Sequence, residues 1–279
     1  MCNGLLLVDK PKNLTSNQTL KILKKRLNIK KAGIVGILDP LAHGMLPILF
    51  GEATKFSSYI ESYKKKYEVV CQLGSVSTTG DKEGIVTPYK QNNLKLLEQD
   101  FINTRLKKFF GELLQTPPMF SGLKVKGEKL YNLARKGITI PRKPRKIFIH
   151  DIKLMKFQGS VLKLSIVCSK GTYIRTLVEE IGKDLSVGAY IKDLQRVEIG
   201  KYKKDIMIKL DQIKNLSITK TNYFVDINTI LSDEDSFILS DLEEKKIRMG
   251  QPVHKSSEFH NKLVTIYNKN NIIGIAVIK

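Results

Sequence analysis

One acid stands inside an apolar run. Residues 36–44 read Gly36-Ile37-Leu38-Asp39-Pro40-Leu41-Ala42-His43-Gly44, with Ile34 and Val35 before them and Met45 and Leu46 after. An ionised carboxylate in such surroundings is costly unless a cation pairs with it. Pro40 pushes Asp39 towards an extended backbone, and Gly36 and Gly44 permit sharp turns or close approach of another chain. The segment reads as a rigid loop presenting one reactive acid. A cation that could serve it is Arg175, in Ser169-Lys170-Gly171-Thr172-Tyr173-Ile174-Arg175-Thr176. There it falls in the first turn of a helix, where the dipole mildly disfavours positive charge and invites an anionic partner. Each segment supplies what the other lacks.

The elements that must position these two residues follow from pattern. Gly4 to Val8 is an apolar run ending in Asp9-Lys10-Pro11, a strand entering a turn. Thr15 or Ser16 caps a helix with Leu20, Leu23 and Leu27 on one face. Leu46 to Phe50 reads as a strand and Glu52 to Ile60 as a helix. Tyr67, Val69, Cys71 and Leu73 alternate on one side of a strand, and Leu94 to Phe110 reads as helical. Ile147 to Phe157 and Val161 to Cys168 are two strands joined at Gln158-Gly159-Ser160. Thr172 is expected to cap the clearest helix, whose stripe is Ile174, Leu177, Val178, Ile181 and Leu185. Ala189 to Ile199 returns as a strand. Strands and helices interleave without a regular βαβ repeat, which predicts an α+β fold on a mixed sheet. Residues 211–230 are Asn-, Thr- and Lys-rich and read as a linker, followed by a small β-rich module ending in a hairpin.

Charge indicates the partner. The chain of 279 residues carries a net charge of +21. Only eight of the 48 basic residues are arginine, so lysine-rich composition accounts for part of this. Its distribution is uneven: 231–279 is neutral, and 1–230 carries the whole surplus. Lys124 to Lys146 holds nine basic residues against Glu128 alone, and Lys21 to Lys31 holds six and no acid. Such clustering points to a polyanion-binding surface. No run approaches the length of a membrane span, and the first residues lack the layout of a signal peptide. Cys2, Cys71 and Cys168 are scattered, with neither disulfide spacing nor zinc-ligand spacing, and no phosphate-binding glycine loop precedes a Gly-Lys pair. A cytoplasmic protein that needs no metal and no small-molecule cofactor is expected.

Lys31 to Leu46, with Pro47 and Gly51-Glu52-Ala53-Thr54-Lys55 following, resembles the catalytic signature of the bacterial tRNA pseudouridine-55 synthases, the TruB family. Four further segments extend the resemblance over roughly residues 4–202. They are Leu7 to Ser16, Lys66-Tyr67-Glu68-Val69, Pro117 to Lys124 running on to Tyr131 and Ala134-Arg135, and Ser169 to Thr176. The resemblance implies a pseudouridine-synthase-like mixed-sheet catalytic domain with flanking helices over 1–230. It also implies an RNA-gripping insertion at about 115–146 and a small β-rich PUA-like domain over 231–279.

By family position, Asp39 is the nucleophile or base, Arg175 holds it ionised, and Tyr67 stacks on the freed uracil. Tyr173 and Leu194 line the base pocket, Ile34 holds the place of a residue that wedges into the RNA loop, and Lys10, Lys124 and Arg135 contact RNA. The implied partner is the T-stem-loop of tRNA. Departures from the family pattern are Asn13 for Gly, Ile34-Val35 for His-Thr, His43 for Thr, Thr78 for an acid and Phe120 for Tyr. The replacement of His-Thr motivates an alternative, a tRNA-binding chaperone that has lost catalysis.

Overall fold

The computed structural model describes residues 3–90, 94–125, 127–213, 221–231, 235–254, 263–269 and 271–278. Cys2, Lys126 and the middle of 211–230 lie outside them. Strand β1 (Gly4–Lys10) is followed by helix α1 (Ser16–Leu27), β2 (Ala32–Ile34), the Asp39 loop and β3 (His43–Phe50). A 3-10 stretch, Gly51–Phe56, enters α2 (Ser57–Ser62), and β4 (Lys65–Leu73) leads to a small ribbon of β5 (Ser75–Ser77) and β6 (Val86–Pro88). Helix α3 (Gln99–Leu106) precedes β7 (Gly111–Gln115), a second ribbon of β8 (Lys124–Val125) and β9 (Glu128–Lys129), and α4 (Leu130–Arg135). The long hairpin β10 (Arg145–Gln158) and β11 (Val161–Cys168) runs into α5 (Ile174–Asp184) and β12 (Ala189–Ile199). Short strands β13 (Tyr202–Lys203), β14 (Ile208–Lys209) and β15 (Phe224–Asp226) and helix α6 (Ile227–Leu231) follow. The chain ends in β16 (Asp235–Ile238), α7 (Asp241–Arg248), β17 (Leu263–Asn268) and β18 (Asn271–Val277).

Period-two patterning builds the centre. Strand β4 buries Lys65, Tyr67, Val69, Cys71 and Leu73 and leaves the residues between them partly open. It lies between β11 and β12 in the order β14-β1-β3-β12-β4-β11-β10-β7. Helix α5 lays Ile174, Leu177, Val178 and Ile181 on that face, against Val69, Leu164, Ile166 and Ile191. Each such side chain contributes about 1.5–3 kcal/mol by leaving water. A second cluster, with Leu23 of α1 on Leu46, Ile48 and Phe50, fixes the β1–β3 half. The pairing is mostly antiparallel, but β3 runs parallel to β12 at Gln195↔His43 and Arg196↔Gly44. Here the two halves of the sheet meet, directly after the Asp39 loop. Gly44 makes the approach possible: at φ 91°, a Cβ on it would stand 2.4 Å from the Arg196 carbonyl oxygen.

Three sequence expectations change. The stretch 211–230 is not a free linker in its described part, because β15 adds to β1 at Gly4↔Asp226 and Leu6↔Phe224. Leu94 to Phe110 is not one helix: Glu98 is extended (φ −109°, ψ 154°), so α3 starts only at Gln99. Thr172 does not cap α5. Its hydroxyl donates to the Ser169 carbonyl (3.0 Å), Tyr173 takes the cap position, and no side chain caps the first turn. Thr15 does cap α1, in a capping box with Gln18. The C-terminal hairpin forms as β17 and β18, joined in parallel by β16.

Lys10, expected at the RNA, is fully buried at the end of β1. Its ammonium donates to the carbonyls of Pro11, Leu14 and Pro40, so it braces the Asp39 loop from behind. Burial lowers its pKa from 10.5 to about 8, against the pull of Asp39. The unfolded chain therefore binds one more proton than the folded chain between these values, so stability rises with pH there. Lys10→Met leaves three carbonyls without their donor and should lower the melting temperature. The gap between wild type and variant should widen as pH climbs from about 8 to 10.5, since only the wild type titrates. A gap that stays constant in denaturant titrations across that range would show that Lys10 is not the titrating brace.

Candidate active site

Four anchors hold the Asp39 loop. Ser16 Oγ accepts from Leu38 N–H and donates to the Leu38 carbonyl, both at 2.9 Å, from a fully buried position. Asn13 N–H donates to the Pro40 carbonyl at 3.0 Å, with Asn13 at φ 65°, the left-handed conformation expected where the family has Gly. Lys10 reaches the same carbonyl at 3.3 Å. Arg196 donates from Nη2 to the Gly36 carbonyl (2.8 Å) and from Nε to that of Met45 (2.7 Å), tying both ends of the loop to β12.

The loop thereby presents Asp39 to Arg175. Nε of Arg175 stands 2.9 Å from Asp39 Oδ2, with the arginine side chain 7% exposed and that of Asp39 39% exposed, open to the cavity it floors. Enclosure by protein raises the Asp39 pKa above the ordinary 3.8, and the charge of Arg175 opposes that rise. The guanidinium does not grip the carboxylate with both prongs. Its Nη1 donates to the Thr79 carbonyl (2.9 Å) and its Nη2 to that of Phe120 (2.7 Å). Arg175 is thus a strut joining α5 to three loops. A second carboxylate, Asp81, lies 3.8 Å from Nε, nearly inaccessible. It accepts from the Thr79 hydroxyl (2.6 Å) and Glu83 N–H (3.0 Å) and keeps the Thr79 loop in place.

Tyr67 and Leu194, buried, and Tyr173 and Ile34, half-buried, line the same cavity of about 480 Å³. That is room for a nucleoside-sized group. Burial raises the Tyr67 phenol's pKa, and the guanidinium of Arg196, its cross-strand partner, lies against the hydroxyl and opposes the shift. Tyr173 is fixed by Gln115, whose side chain accepts from Tyr173 N–H (2.8 Å) and donates to its carbonyl (3.1 Å). Six of the nine residues singled out from sequence, Asp39, Tyr67, Arg175, Tyr173, Leu194 and Ile34, thus meet in one pocket. Lys124 and Arg135 stand outside it on the exposed ribbon and helix beyond its rim, where Arg135 and Lys129 flank the Tyr131 ring at 5.5 Å each.

Sequence reasoning missed Arg196 and Asp81. Arg196 was signalled by its inward place on β12, two residues after Leu194 in an alternating strand. Asp81 carried no such signal. Among the described residues there is no group of three or more metal-ligating side chains, and no helix is long and apolar enough to cross a membrane.

On the reading that Asp39 acts as a carboxylate nucleophile or base, activity should disappear as pH falls through its raised pKa. The acid limb of kcat/KM therefore belongs above the ordinary carboxylate range. Arg175→Gln should move that limb to still higher pH, since Arg175 is what lowers the value. Arg175→Lys should retain the charge but drop both carbonyl bonds, misplacing the acid and costing roughly a hundredfold in kcat. A Lys variant with near-wild-type kcat would reduce Arg175 to a source of positive potential.

Similarity to known proteins agrees with this geometry. Residues 24–174 match the N-terminal domain of the TruB family pseudouridylate synthases, and 175–242 match the C-terminal domain of tRNA pseudouridylate synthase B. The chain is 39% identical over 289 residues to tRNA pseudouridine synthase B of Buchnera aphidicola subsp. Schizaphis graminum, covering 99% of this chain and 92% of that one. It is 41% identical over 256 residues to the protein of that name from Nitrosococcus oceani, covering 90% and 82%. Among solved structures, a chain of a Cbf5-Nop10-Gar1 complex shares the fold at TM-score 0.73 and 22% identity, over 99% of this chain and 79% of that chain. With matches over nearly its whole length, the chain belongs to the TruB family of pseudouridylate synthases.

Proposed function

We propose that this chain is a tRNA pseudouridine synthase that isomerises the T-loop uridine at position 55. The observation that carries this reading is the Asp39–Arg175 ion pair on the floor of a cavity walled by Tyr67, Tyr173 and Leu194. The net reaction exchanges the C1′–N1 bond for a C1′–C5 bond, while one proton leaves C5 and one arrives at N1. No electrons are gained or lost. Asp39 starts it, by attack at C1′ or by taking the 2′ proton, and Arg175 keeps it ionised and aimed. Tyr67 stacks on the detached uracil while it turns, between Leu194 and Tyr173.

A stacked base cannot enter this cavity. The uridine has to be flipped out, at a cost of a few kcal/mol that contacts elsewhere must offset. The basic stretch from Lys124 to Lys146, with Lys124 and Arg135, supplies them within the RNA-gripping segment 115–146, and recognition is of the folded stem-loop's shape. We assign catalysis to 1–230 and an accessory PUA-like RNA-binding role to 231–279, and place the enzyme with its substrate in the cytoplasm.

Incubation with unmodified tRNA transcript, followed by chemical mapping of pseudouridine, tests the reading. Conversion at the T-loop uridine is expected from wild type and none above background from Asp39→Asn, whose affinity for tRNA should be nearly unchanged. Tight binding without conversion by wild type would leave only the tRNA-binding chaperone. A second expectation concerns Ile34, which pairs with Ile48 on β3 and packs towards Leu23 and Leu46. A histidine ring there would sit half in that cluster, so Ile34→His should fail to raise kcat/KM. A severalfold gain in single-turnover rate on a T-stem-loop would overturn that.

A further inference from the structure

Two cations lie buried in the pocket wall with no carboxylate at ion-pair distance among the described residues. Lys65 is 6% exposed and Arg196 2%. The Lys65 ammonium donates to the backbone carbonyl of Glu61, and Arg196 to the carbonyls of Met45 and Gly36. Carbonyl oxygens satisfy N–H groups but carry no net charge. Lys170 stands nearby on the turn after β11 and adds a third positive charge to the same wall. Burial first, then Arg196 and Lys170, lowers the Lys65 pKa to about 8. The carboxylate of Glu61, an exposed residue on the rim, opposes this without reaching contact. Asp39 does not supply the missing charge, being paired with Arg175. Buried charges in folded proteins are paired, so this wall lacks an anion.

The strands indicate which anion. Lys65 and Tyr67 are two apart on β4 and face the same side, about 7 Å from each other along the strand. Arg196 is the cross-strand partner of Tyr67, Cys168 is that of Lys65, and the chain passes from Cys168 through Ser169 to Lys170. The three cations therefore line the same pocket wall as the Tyr67 ring. A base stacked on Tyr67 brings its own phosphate, one ribose away, towards that wall.

We propose that Lys65, Lys170 and Arg196 form a phosphodiester subsite that takes the backbone phosphate of the nucleotide whose base enters the pocket. This rests on the RNA-modifying reading above and adds the group that anchors the flipped nucleotide. The subsite neutralises that phosphate as it leaves solvent, and it favours a nucleotide within a chain over a free nucleoside.

Binding of T-stem-loops by Asp39→Asn protein, which leaves the substrate unconverted, tests the subsite. One RNA is all-phosphate, and two others carry an uncharged methylphosphonate 5′ or 3′ of the target uridine. One of the two neutral linkages should weaken binding about tenfold, as expected for a charge-assisted contact. Adding Lys65→Met should weaken binding of the all-phosphate RNA by a similar factor and cause no further loss on that neutral-linkage RNA. Lys170→Ala, at an exposed position that does not endanger folding, should show the same non-additivity with a smaller factor. Its result decides the matter if Lys65→Met fails to fold.

Losses that multiply at both linkages would overturn the subsite. So would an unchanged Kd in a Lys65→Met protein that melts with its parent. Absence of pseudouridine formation by wild type would instead count against the functional reading, because the binding cycle does not depend on turnover.

Discussion

The site depends on pairing one carboxylate with a cation where protein has displaced much of its water. Among the described residues Asp39 has a single cation at hydrogen-bonding distance, Arg175, and that contact works only if both residues are held in place. Arg175 is held because its two terminal nitrogens donate to the Thr79 and Phe120 carbonyls, and those loops are held in turn by Asp81 and by the ribbon after Phe120. Asp39 is immobile because Ser16, Asn13, Lys10 and Arg196 fasten its loop to α1, β1 and β12. The parallel seam between β3 and β12, with Gly44 against the Arg196 backbone, brings the two halves of this scaffold to one place.

A common device runs through the interior. Lys10, Lys65, Arg175 and Arg196 are all buried, and each spends donors on backbone carbonyls. Used this way, cations pin loops without bringing more carboxylates into the pocket. Extra carboxylates would push the Asp39 pKa higher still, as Asp81 already does to a lesser degree than burial. The consequence is a wall rich in positive charge in which Asp39 is paired with Arg175. Positive charge also dominates the chain as a whole, at a net +21.

Much of this was legible in the sequence because it rests on short-range pattern. The alternation of Tyr67, Val69, Cys71 and Leu73 places Tyr67 inward on β4, and the stripe from Ile174 to Leu185 places Arg175 at the start of α5. The need of Asp39 for a cation follows from its neighbours alone. What was not legible depends on contacts between distant segments. Lys10 looks like any lysine at a strand end, and only the fold shows that Pro40, thirty residues on, closes over it. A polar composition made 211–230 look like linker, yet within it Phe224 to Asp226 pairs with β1 and overrides that weak local preference. Thr172 has the chemistry of a cap, but its hydroxyl finds the Ser169 carbonyl first, a competition that local sequence cannot decide.

The same contact logic explains why the departures from family pattern leave the frame intact. At position 120 the group Arg175 uses is the main-chain carbonyl, which Phe supplies as well as Tyr does. At position 78 the threonine hydroxyl accepts from Ile85 N–H (3.0 Å), while its own N–H donates to the Ile85 carbonyl (3.1 Å), so the loop keeps its closure without an acid. Asn13 adopts the left-handed turn at φ 65°. Val35 uses its backbone N–H on the Pro47 carbonyl and buries its side chain. At each of these positions the structural work is done by the main chain or by a donor and acceptor that several residue types provide. Asp39 and Arg175 are different: charge, reach and donor geometry are all in use at once, and no other residue pair supplies them together.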